Sequence, residues 1–165
     1  MKENSEFLYP HRIIDTSNIR SLLSSSSSHG LCGGHNLGNT CFMNSSIACL
    51  SNTLELTIYF LTKAYLKDIN KDNPRGTKGK LAKEWYNLLY QYWIQKTKTG
   101  DPSDFKKVIA KKASIFRGYE QQDSNEFMII FLDYLNEDLN KVTKEVYEEI
   151  AEQKKGNVKD DLYML

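Results

Sequence analysis

The amino-acid sequence predicts a mainly α-helical fold around one hydrophobic core. Its 165 residues match the size of a single domain, and contents of 40% hydrophobic and 12% aromatic residues are sufficient for a core. Apolar residues recur at helical spacing in several segments. Outside the C-terminal tail there is no convincing strand pattern or internal repeat, so the recognisable elements are helices.

The chain divides into a flexible N-terminal segment, residues 1–29, and one domain, residues 30–165. The stretch SLLSSSSSHG at 21–30 is rich in serine, which is typical of a tail or linker. From residue 141 onward glutamate and lysine alternate, and the chain ends in KDDLYML. This last part fits either a solvated helix or the beginning of a strand.

The first two helices are predicted to follow Cys41. The segment FMNSSIACLSN places Phe42, Ile47 and Leu50 among small residues, which is typical of a helix packed closely against its neighbours. A second, shorter helix covers LELTIYFLTKAYL. It ends before DNPRG at 72–76, where proline and glycine favour a turn.

Two amphipathic helices come next. The third helix has the clearest periodicity and is predicted to run for about five turns, with an apolar face formed by Leu81, Trp85, Leu88, Leu89, Tyr92 and Trp93. The fourth, DFKKVIAKKA, is announced by Asp101 as N-cap, Pro102 at the first helical position and Asp104 in the first turn. Its inward-facing residues are Phe105, Val108 and Ile109.

The fifth helix, predicted over residues 121–140, is apolar around most of its circumference. A helix of this kind belongs in the middle of a folded body rather than on its surface. Its two apolar stripes are Phe127, Ile130, Phe131 and Tyr134 on one side and Met128, Leu132, Leu135 and Leu139 on the other.

The charge and hydropathy of the sequence limit the classes of partner that we expect. The formal net charge of +1 gives no general attraction to nucleic acid or to an anionic membrane. Residues 63–112 are more basic, with 13 Lys/Arg against 5 Asp/Glu, and we interpret them as a solvated helical face. The N-terminus lacks a signal-peptide core, and the longest apolar run, FMIIFL at 127–132, is too short to span a bilayer. We therefore expect a cytoplasmic or nuclear protein without nucleic-acid or membrane partners.

The three cysteines are predicted to be free thiols. Their number is odd and they form no C-x-x-C pair, which argues against a disulfide framework and against a zinc ribbon. No metal or other cofactor is expected.

The sequence NLGNTCFMNS at 36–45 suggests nucleophilic chemistry at Cys41. A catalytic thiol reacts as the thiolate, which the first turn of a helix favours through its unpaired N–H groups and dipole. Asn39 or Thr40 is a natural N-cap, and Gly38 allows close approach of a substrate. The side chain of Asn36 could donate a hydrogen bond to an oxyanion. Taken alone, the same residues also fit a capped turn with a buried, inert cysteine.

The stretch GLCGGHNLGNTCFMNSSIACLSN resembles the cysteine box of the ubiquitin-specific proteases, G-L-x-N-L-G-N-T-C-F-M-N-S. A second stretch, GYEQQDSNEFMIIFLDYLNEDLN at 118–140, resembles the Q-Q-D-x-x-E-F/L box of the same family. The two boxes lie about 80 residues apart and in the order that the family shows. The lead-in and the segment DNPRGTKGKLAKEWYNLL further resemble the subgroup that carries DUSP and ubiquitin-like modules. The resemblance implies the helical thumb lobe of a papain-like α+β cysteine protease fold.

The resemblance assigns roles to four residues. Cys41 corresponds to the nucleophile and Asn36 to the oxyanion-hole asparagine, while Gln121 and Asp123 match positions that hold the arginine-containing tail of ubiquitin. For Asp123 the alternative is helix N-capping, and both roles are compatible. The other cysteines match no catalytic position: we expect Cys49 in the core, and Cys32 to be inert.

The pattern also departs from the family. The catalytic histidine and the following Asp/Asn lie downstream of the second box in the family, and here the three histidines, at 11, 29 and 35, all precede Cys41. We therefore expect the palm and fingers to be absent and the catalytic domain to be incomplete. Gly34 replaces a leucine of the subgroup, which predicts a looser loop before Cys41.

The resemblance thus implies a thiol-dependent deubiquitinase, hydrolysing the bond after the C-terminal glycine of ubiquitin, whose partners are ubiquitin, ubiquitinated proteins and the missing C-terminal part of the domain. The chain alone is expected to be inactive for lack of the histidine. The alternative is a catalytically inactive helical module that binds ubiquitin or another partner. A third hypothesis is a basic nucleic-acid binder that uses residues 63–112.

Overall fold

The computed structural model describes residues 30–95 and 97–141. The expectations for residues 1–29, and for the tail after residue 141, lie outside this part of the chain. Within it the prediction of a mainly α-helical fold is confirmed. The helices are α1 Cys41–Ser51, α2 Leu54–Leu61, α3 Lys80–Trp93, α4 Ser103–Lys112 and α5 Ser124–Leu139, with 3₁₀ turns at Ala64–Lys67 and Ser114–Phe116.

One short pair of strands was not predicted. β1 (Gly33–Gly34) pairs in parallel with β2 (Thr99–Gly100), in the register Gly33 to Thr99 and Gly34 to Gly100. Each strand has only two residues, which are too few to show the alternation of polar and apolar residues that identifies a strand in a sequence. The pair joins the segment before α1 to the segment before α4.

The core forms around α3, which packs against α2, α4 and α5. Trp85 of α3 is fully buried, and its ring lies 5.1 Å from that of Phe131 and 6.0 Å from that of Phe105. These are edge or tilted contacts, the geometry that aromatic pairs prefer. The apolar periodicity of α3 is therefore confirmed, although its 14 residues form about four turns rather than five.

Helix α5 is central on one face only. Phe127, Phe131 and Leu135 are buried against α1 and α3, as predicted. Leu132 of the second predicted stripe is 39% exposed, and Ile129, which belongs to neither stripe, is 60% exposed. The prediction of a helix buried in the middle of the body is therefore wrong for the side of α5 that carries these two residues. Leu135 of the second predicted stripe is buried together with Phe127 and Phe131 of the first. The apolar pattern thus predicted two stripes, but it does not specify how many neighbours pack on a helix.

Buried carboxylates join the C-terminal end of α5 to the segment before α3. Asp138, fully buried, accepts hydrogen bonds at Oδ2 from the Thr77 hydroxyl at 2.6 Å and from the N–H of Ala82 at 3.2 Å. Glu137, also buried, accepts from Nδ2 of Asn73 at 2.7 Å. Asp138 thus satisfies an N–H group in the first turn of α3 that no residue of that helix can reach. The sequence indicated only a turn at this place.

Candidate active site

The segment before α1 is a tight loop, residues 36–40, which we call the nucleophile loop. Oδ1 of Asn36 accepts hydrogen bonds from the N–H groups of Gly38 at 3.1 Å and Thr40 at 3.2 Å, and from the Thr40 hydroxyl at 3.2 Å. The same hydroxyl accepts from the N–H of Leu37 at 2.9 Å. Three donors on the carboxamide oxygen of Asn36 fix the orientation of the carboxamide and, with it, the direction of its N–H₂ group.

Two consecutive residues of the loop adopt left-handed backbone conformations. Gly38 has φ 94° and Asn39 has φ 50°. Glycine enters this region without steric cost, and asparagine tolerates it better than most residues with a side chain. These two residues turn the chain sharply into α1, so that Cys41 becomes the first residue of the helix.

Cys41 is solvent-exposed, unlike the buried, inert cysteine of the alternative interpretation. Thr40 occupies the N-cap position, as predicted, but its side chain bonds Asn36 instead of capping the helix. The first-turn N–H groups of α1 are therefore not occupied by a side-chain cap. Such groups, with the helix dipole, favour negative charge next to them.

The two sequence boxes meet in the structure. Nδ2 of Asn39 donates a hydrogen bond to the backbone oxygen of Tyr119 at 2.9 Å, 80 residues further along the chain. The hydroxyl of Ser46, buried in α1, lies 2.9 Å from the backbone oxygen of Ser124 at the start of α5 and donates to it. The nucleophile loop and the segment that carries Gln121 therefore lie side by side.

Asp123 is the N-cap of α5. Its Oδ1 accepts hydrogen bonds from the N–H groups of Asn125 at 2.7 Å and Glu126 at 3.0 Å, so the capping role considered in the sequence is present. Asp123 and Gln121 are both exposed. Their roles in holding the tail of ubiquitin stay predictions, as do the catalytic roles of Cys41 and Asn36.

The remaining cysteines and His35 have other surroundings and contacts. Cys49 is exposed, so the prediction that it belongs to the core is wrong. The buried positions of α1 are Phe42, Met43, Ser46, Ile47 and Ser51, and residue 49 falls between the turns that carry them. Cys32 is half-buried, with Sγ 3.7 Å from the Thr97 hydroxyl. Nε2 of His35 lies 2.9 Å from the hydroxyl of Thr99, in the β1–β2 bridge.

Gly34 does not loosen the chain before the loop, in contrast to our expectation. Nδ2 of Asn44 donates to the backbone oxygens of Gly34 at 3.3 Å and His35 at 3.2 Å, and Gly34 is paired in β1. A Cβ at this position would lie 2.6 Å from the Tyr92 hydroxyl oxygen, so a side chain here would require Tyr92 to move. Burial, with a smaller effect from Cys32, raises the pKa of Tyr92, which keeps this hydroxyl protonated.

Sequence reasoning missed the structural roles of Asn39, Asn44 and Tyr119. The pattern offered one indication, the three asparagines within NLGNTCFMNS. In the structure each of them makes a different contact, since Asn36 closes the loop, Asn39 joins it to Tyr119, and Asn44 holds the strand before it.

A cleft of about 300 Å³ lies between α3 and α4, and Cys41 does not line it. Its lining includes Glu84, Asn87, Gln91, Asp101 and Asp104. Residues 30–95 and 97–141 contain no group of three or more His, Cys, Asp or Glu side chains that could hold a metal ion. None of the helices in this part of the chain has the length and apolar character needed to cross a bilayer.

An exposed thiol at the first residue of a helix, beside a loop ordered by an asparagine, is an arrangement that thiol-dependent hydrolases use. The family model of the ubiquitin carboxyl-terminal hydrolases matches residues 32–164. The chain belongs to this family.

Curated relatives support the assignment over most of the chain. Ubiquitin carboxyl-terminal hydrolase 4 of Bos taurus is 49% identical over 123 residues, which are 74% of this chain and 13% of that protein. Ubiquitin carboxyl-terminal hydrolase 15 of Homo sapiens is 49% identical over 118 residues, which are 72% of this chain and 12% of that protein. The chain therefore spans about an eighth of the length of these relatives.

Solved structures support the fold. The chain is similar to one in the SAGA Ubp8/Sgf11/Sus1/Sgf73 DUB module bound to ubiquitin aldehyde, with a TM-score of 0.54 and 18% identity over 77% of this chain and 31% of that chain. A second structure of that module, bound to monoubiquitin, gives a TM-score of 0.55 at 17% identity. The helical lobe thus corresponds to one part of a larger fold, as the sequence predicted.

Proposed function

We propose that this chain supplies the nucleophile lobe of a deubiquitinase, a thiol protease that cleaves the bond after the C-terminal glycine of ubiquitin. The observation that carries the proposal is the loop geometry. Cys41 is exposed at the start of α1, and three donors fix the carboxamide oxygen of Asn36 inward. The N–H₂ group of Asn36 is thereby held in one orientation, as an oxyanion donor requires.

In the proposed reaction the Cys41 thiolate attacks the carbonyl carbon of the terminal glycine. The carbonyl oxygen becomes an oxyanion, which accepts a hydrogen bond from Nδ2 of Asn36 and is stabilised by the positive end of α1. Collapse of this intermediate forms a thioester and releases the amine, which takes up a proton. Attack by water then returns the free carboxylate of ubiquitin and the Cys41 thiol.

The proton transfers need a base, and His35 is engaged with Thr99. We propose that the base is a histidine in the part of the relatives that this chain does not span. On this proposal the chain alone turns over little or no substrate. The site of action would be the cytoplasm or the nucleus.

Gln121 and Asp123 are proposed to hold the tail of ubiquitin. They are exposed beside the nucleophile loop, which touches the same segment through Tyr119. A carboxylate suits an arginine-bearing tail because a charged hydrogen bond is about twice as strong as a neutral one. Only one carboxylate oxygen of Asp123 is used in capping, so the other is available to a ligand.

The proposal is tested by covalent labelling with ubiquitin that carries a C-terminal electrophile, using the chain alone and the longest product of its gene. For the longest product we expect labelling of the wild type and of Cys49→Ser, and none of Cys41→Ser. Cys49 is a matched control because it is an exposed thiol on the same helix. Failure to label the longest product, or labelling that survives Cys41→Ser, would overturn the proposal.

The second candidate is a catalytically inactive module that binds ubiquitin or another protein. It is favoured by exposed apolar side chains, Ile115, Tyr119, Ile129 and Leu132, which can contact a partner. Saturable binding of ubiquitin without labelling of Cys41 in any product of the gene would support this candidate over the first.

A further inference from the structure

The segment Gly118–Tyr119 covers the nucleophile loop from outside. Tyr119 accepts the hydrogen bond from Asn39 through its backbone oxygen. Its ring lies over Gly38, since a Cβ added at Gly38 would be 2.9 Å from Cδ1 of Tyr119. The segment therefore touches the two residues whose left-handed conformations bring the chain into α1.

Lys106 of α4 holds this segment in turn. Its Nζ donates a hydrogen bond to the backbone oxygen of Gly118 at 2.9 Å and lies 5.1 Å from the centre of the Tyr119 ring. A cation at this distance from an aromatic ring is attracted to its face. The next lysine, Lys107, makes instead a local ion pair with Asp104 at 2.8 Å on the surface of α4.

These contacts matter because the loop has a single apolar anchor, Leu37, which is half-buried against the core. Asn36, Gly38 and Asn39 are exposed, and the hydrogen bonds described above are what fixes their positions. A loop with few buried contacts opens at low free-energy cost, so each polar tie has a large effect on its order.

We propose that Lys106 and Asn39 are positioning residues, which clamp the nucleophile loop to the segment Gly118–Tyr119. The proposal rests on the proposed function. It adds that the loop carrying Asn36 moves as one unit with the segment before α5, where Gln121 is expected to hold the ubiquitin tail. Neither Lys106 nor Asn39 touches the reacting atoms in this account. They act by keeping the oxyanion donor aligned with Cys41.

The clamp is tested with two variants. Asn39→Gly allows the left-handed backbone conformation but removes the side chain that donates the hydrogen bond to Tyr119. Lys106→Met keeps an apolar side chain of similar length and removes the ammonium group. Misalignment of a reacting group by about 1 Å can cost on the order of a hundredfold in rate. We expect labelling by ubiquitin electrophile to slow about tenfold or more in Asn39→Gly and several-fold in Lys106→Met. Lys107→Met, which removes the same charge one residue away, should label at the wild-type rate.

Two further measurements distinguish a clamp from general damage. Because both residues act on one contact, the double variant should be no slower than Asn39→Gly, whereas independent effects would multiply. Alkylation of Cys41 by iodoacetamide, followed by peptide mass spectrometry, should change less than about twofold, since a small reagent does not use the clamp. Multiplying rate losses would overturn the proposal, as would an equal loss of alkylation.

Amide hydrogen exchange tests the clamp without any activity. The N–H groups of Gly38 and Thr40 bond Oδ1 of Asn36, so their exchange reports the order of the loop. We expect faster exchange at both in Lys106→Met and no change in Lys107→Met. If ubiquitin electrophile labels no form of the protein, the proposed function fails, but exchange still decides the clamp: equal exchange in the two lysine variants overturns it.

Discussion

Two regions of this lobe are held by hydrogen bonds of polar side chains, and they differ in burial. At the α3–α5 junction, Asp138 and Asn73 are fully buried, and their bonds join residues about 60 positions apart. In the nucleophile loop, Asn36 and Asn39 make bonds of similar length but are exposed to solvent.

The two regions differ in whether water can replace a broken hydrogen bond. The junction is sealed from bulk solvent, so removing one partner of a hydrogen bond costs the full desolvation of the other. In the loop water can substitute, and the cost to stability is small. The junction therefore determines whether the lobe folds, whereas the loop determines how its surface groups are aligned. The predictions that follow test this separation, and the largest effect comes first.

Asn36→Asp is expected to give the largest effect, on labelling and not on stability. The aspartate keeps an oxygen for the three donors of the loop but replaces the N–H₂ group with a second, negatively charged oxygen. Loss of one oxyanion donor costs about 3 kcal/mol, on the order of a hundredfold in rate. Labelling by ubiquitin electrophile should fall by at least this factor, while the urea midpoint stays near that of the wild type. A rate within tenfold of the wild type would contradict the role given to Asn36.

Asp138→Ala should give the reverse result, a loss of stability with the loop intact. It leaves the buried donors of Thr77 and Ala82 without an acceptor, at a cost of about 3 kcal/mol. Urea unfolding followed by circular dichroism measures the loss. The matched control is Asp133→Ala, an exposed carboxylate on the same helix, which should change stability by less than about 0.5 kcal/mol. Equal losses in the two variants would remove the distinction between junction and surface.

Substitutions of Asp123 can separate its role as a helix N-cap from the role of its negative charge. Asn is as good an N-cap as Asp, so Asp123→Asn should leave the free energy of unfolding unchanged, whereas Asp123→Ala should lose about 1 kcal/mol. If the charge also holds an arginine-bearing tail, both variants weaken the binding of ubiquitin. Binding measured by calorimetry that is unchanged in Asp123→Asn would leave this residue a helix cap and nothing more.

The smallest effect concerns Asp101 and acid pH. Its side chain accepts a hydrogen bond from the N–H of Ser103 at the start of α4, and this bond holds the pKa of Asp101 below its usual value. A carboxyl whose pKa is lowered by folding stabilises the fold above its unfolded pKa of about 3.9, and this contribution is lost as pH falls through the folded value. In Asp101→Asn the free energy of unfolding should therefore depend slightly less on pH below pH 4. Urea titrations at several pH values measure this dependence. A variant that loses stability more steeply than the wild type as the pH falls would contradict this prediction.

Much of the fold follows from local pattern. The periodicity of Leu81 to Trp93 gave α3, and the Asp-Pro-x-Asp sequence at 101–104 gave the start of α4 within a residue. The glycine and asparagine before Cys41 predicted a turn into a helix, and α1 begins at Cys41. In each case the determining interactions lie within about one helical turn, so the order of the residues is sufficient to reveal them.

The sequence by itself therefore determined the helices, the place of the thiol and, by resemblance, the family. The tertiary structure decided the rest: that Cys49 faces solvent, that Ile129 is left uncovered, that Asp138 satisfies the first turn of α3, and that Asn39 meets Tyr119. These outcomes depend on which distant segment packs against which face. The spacing of apolar residues along the chain reveals the helix to which they belong. It does not reveal which residue, 56 or 80 positions away, lies against that helix.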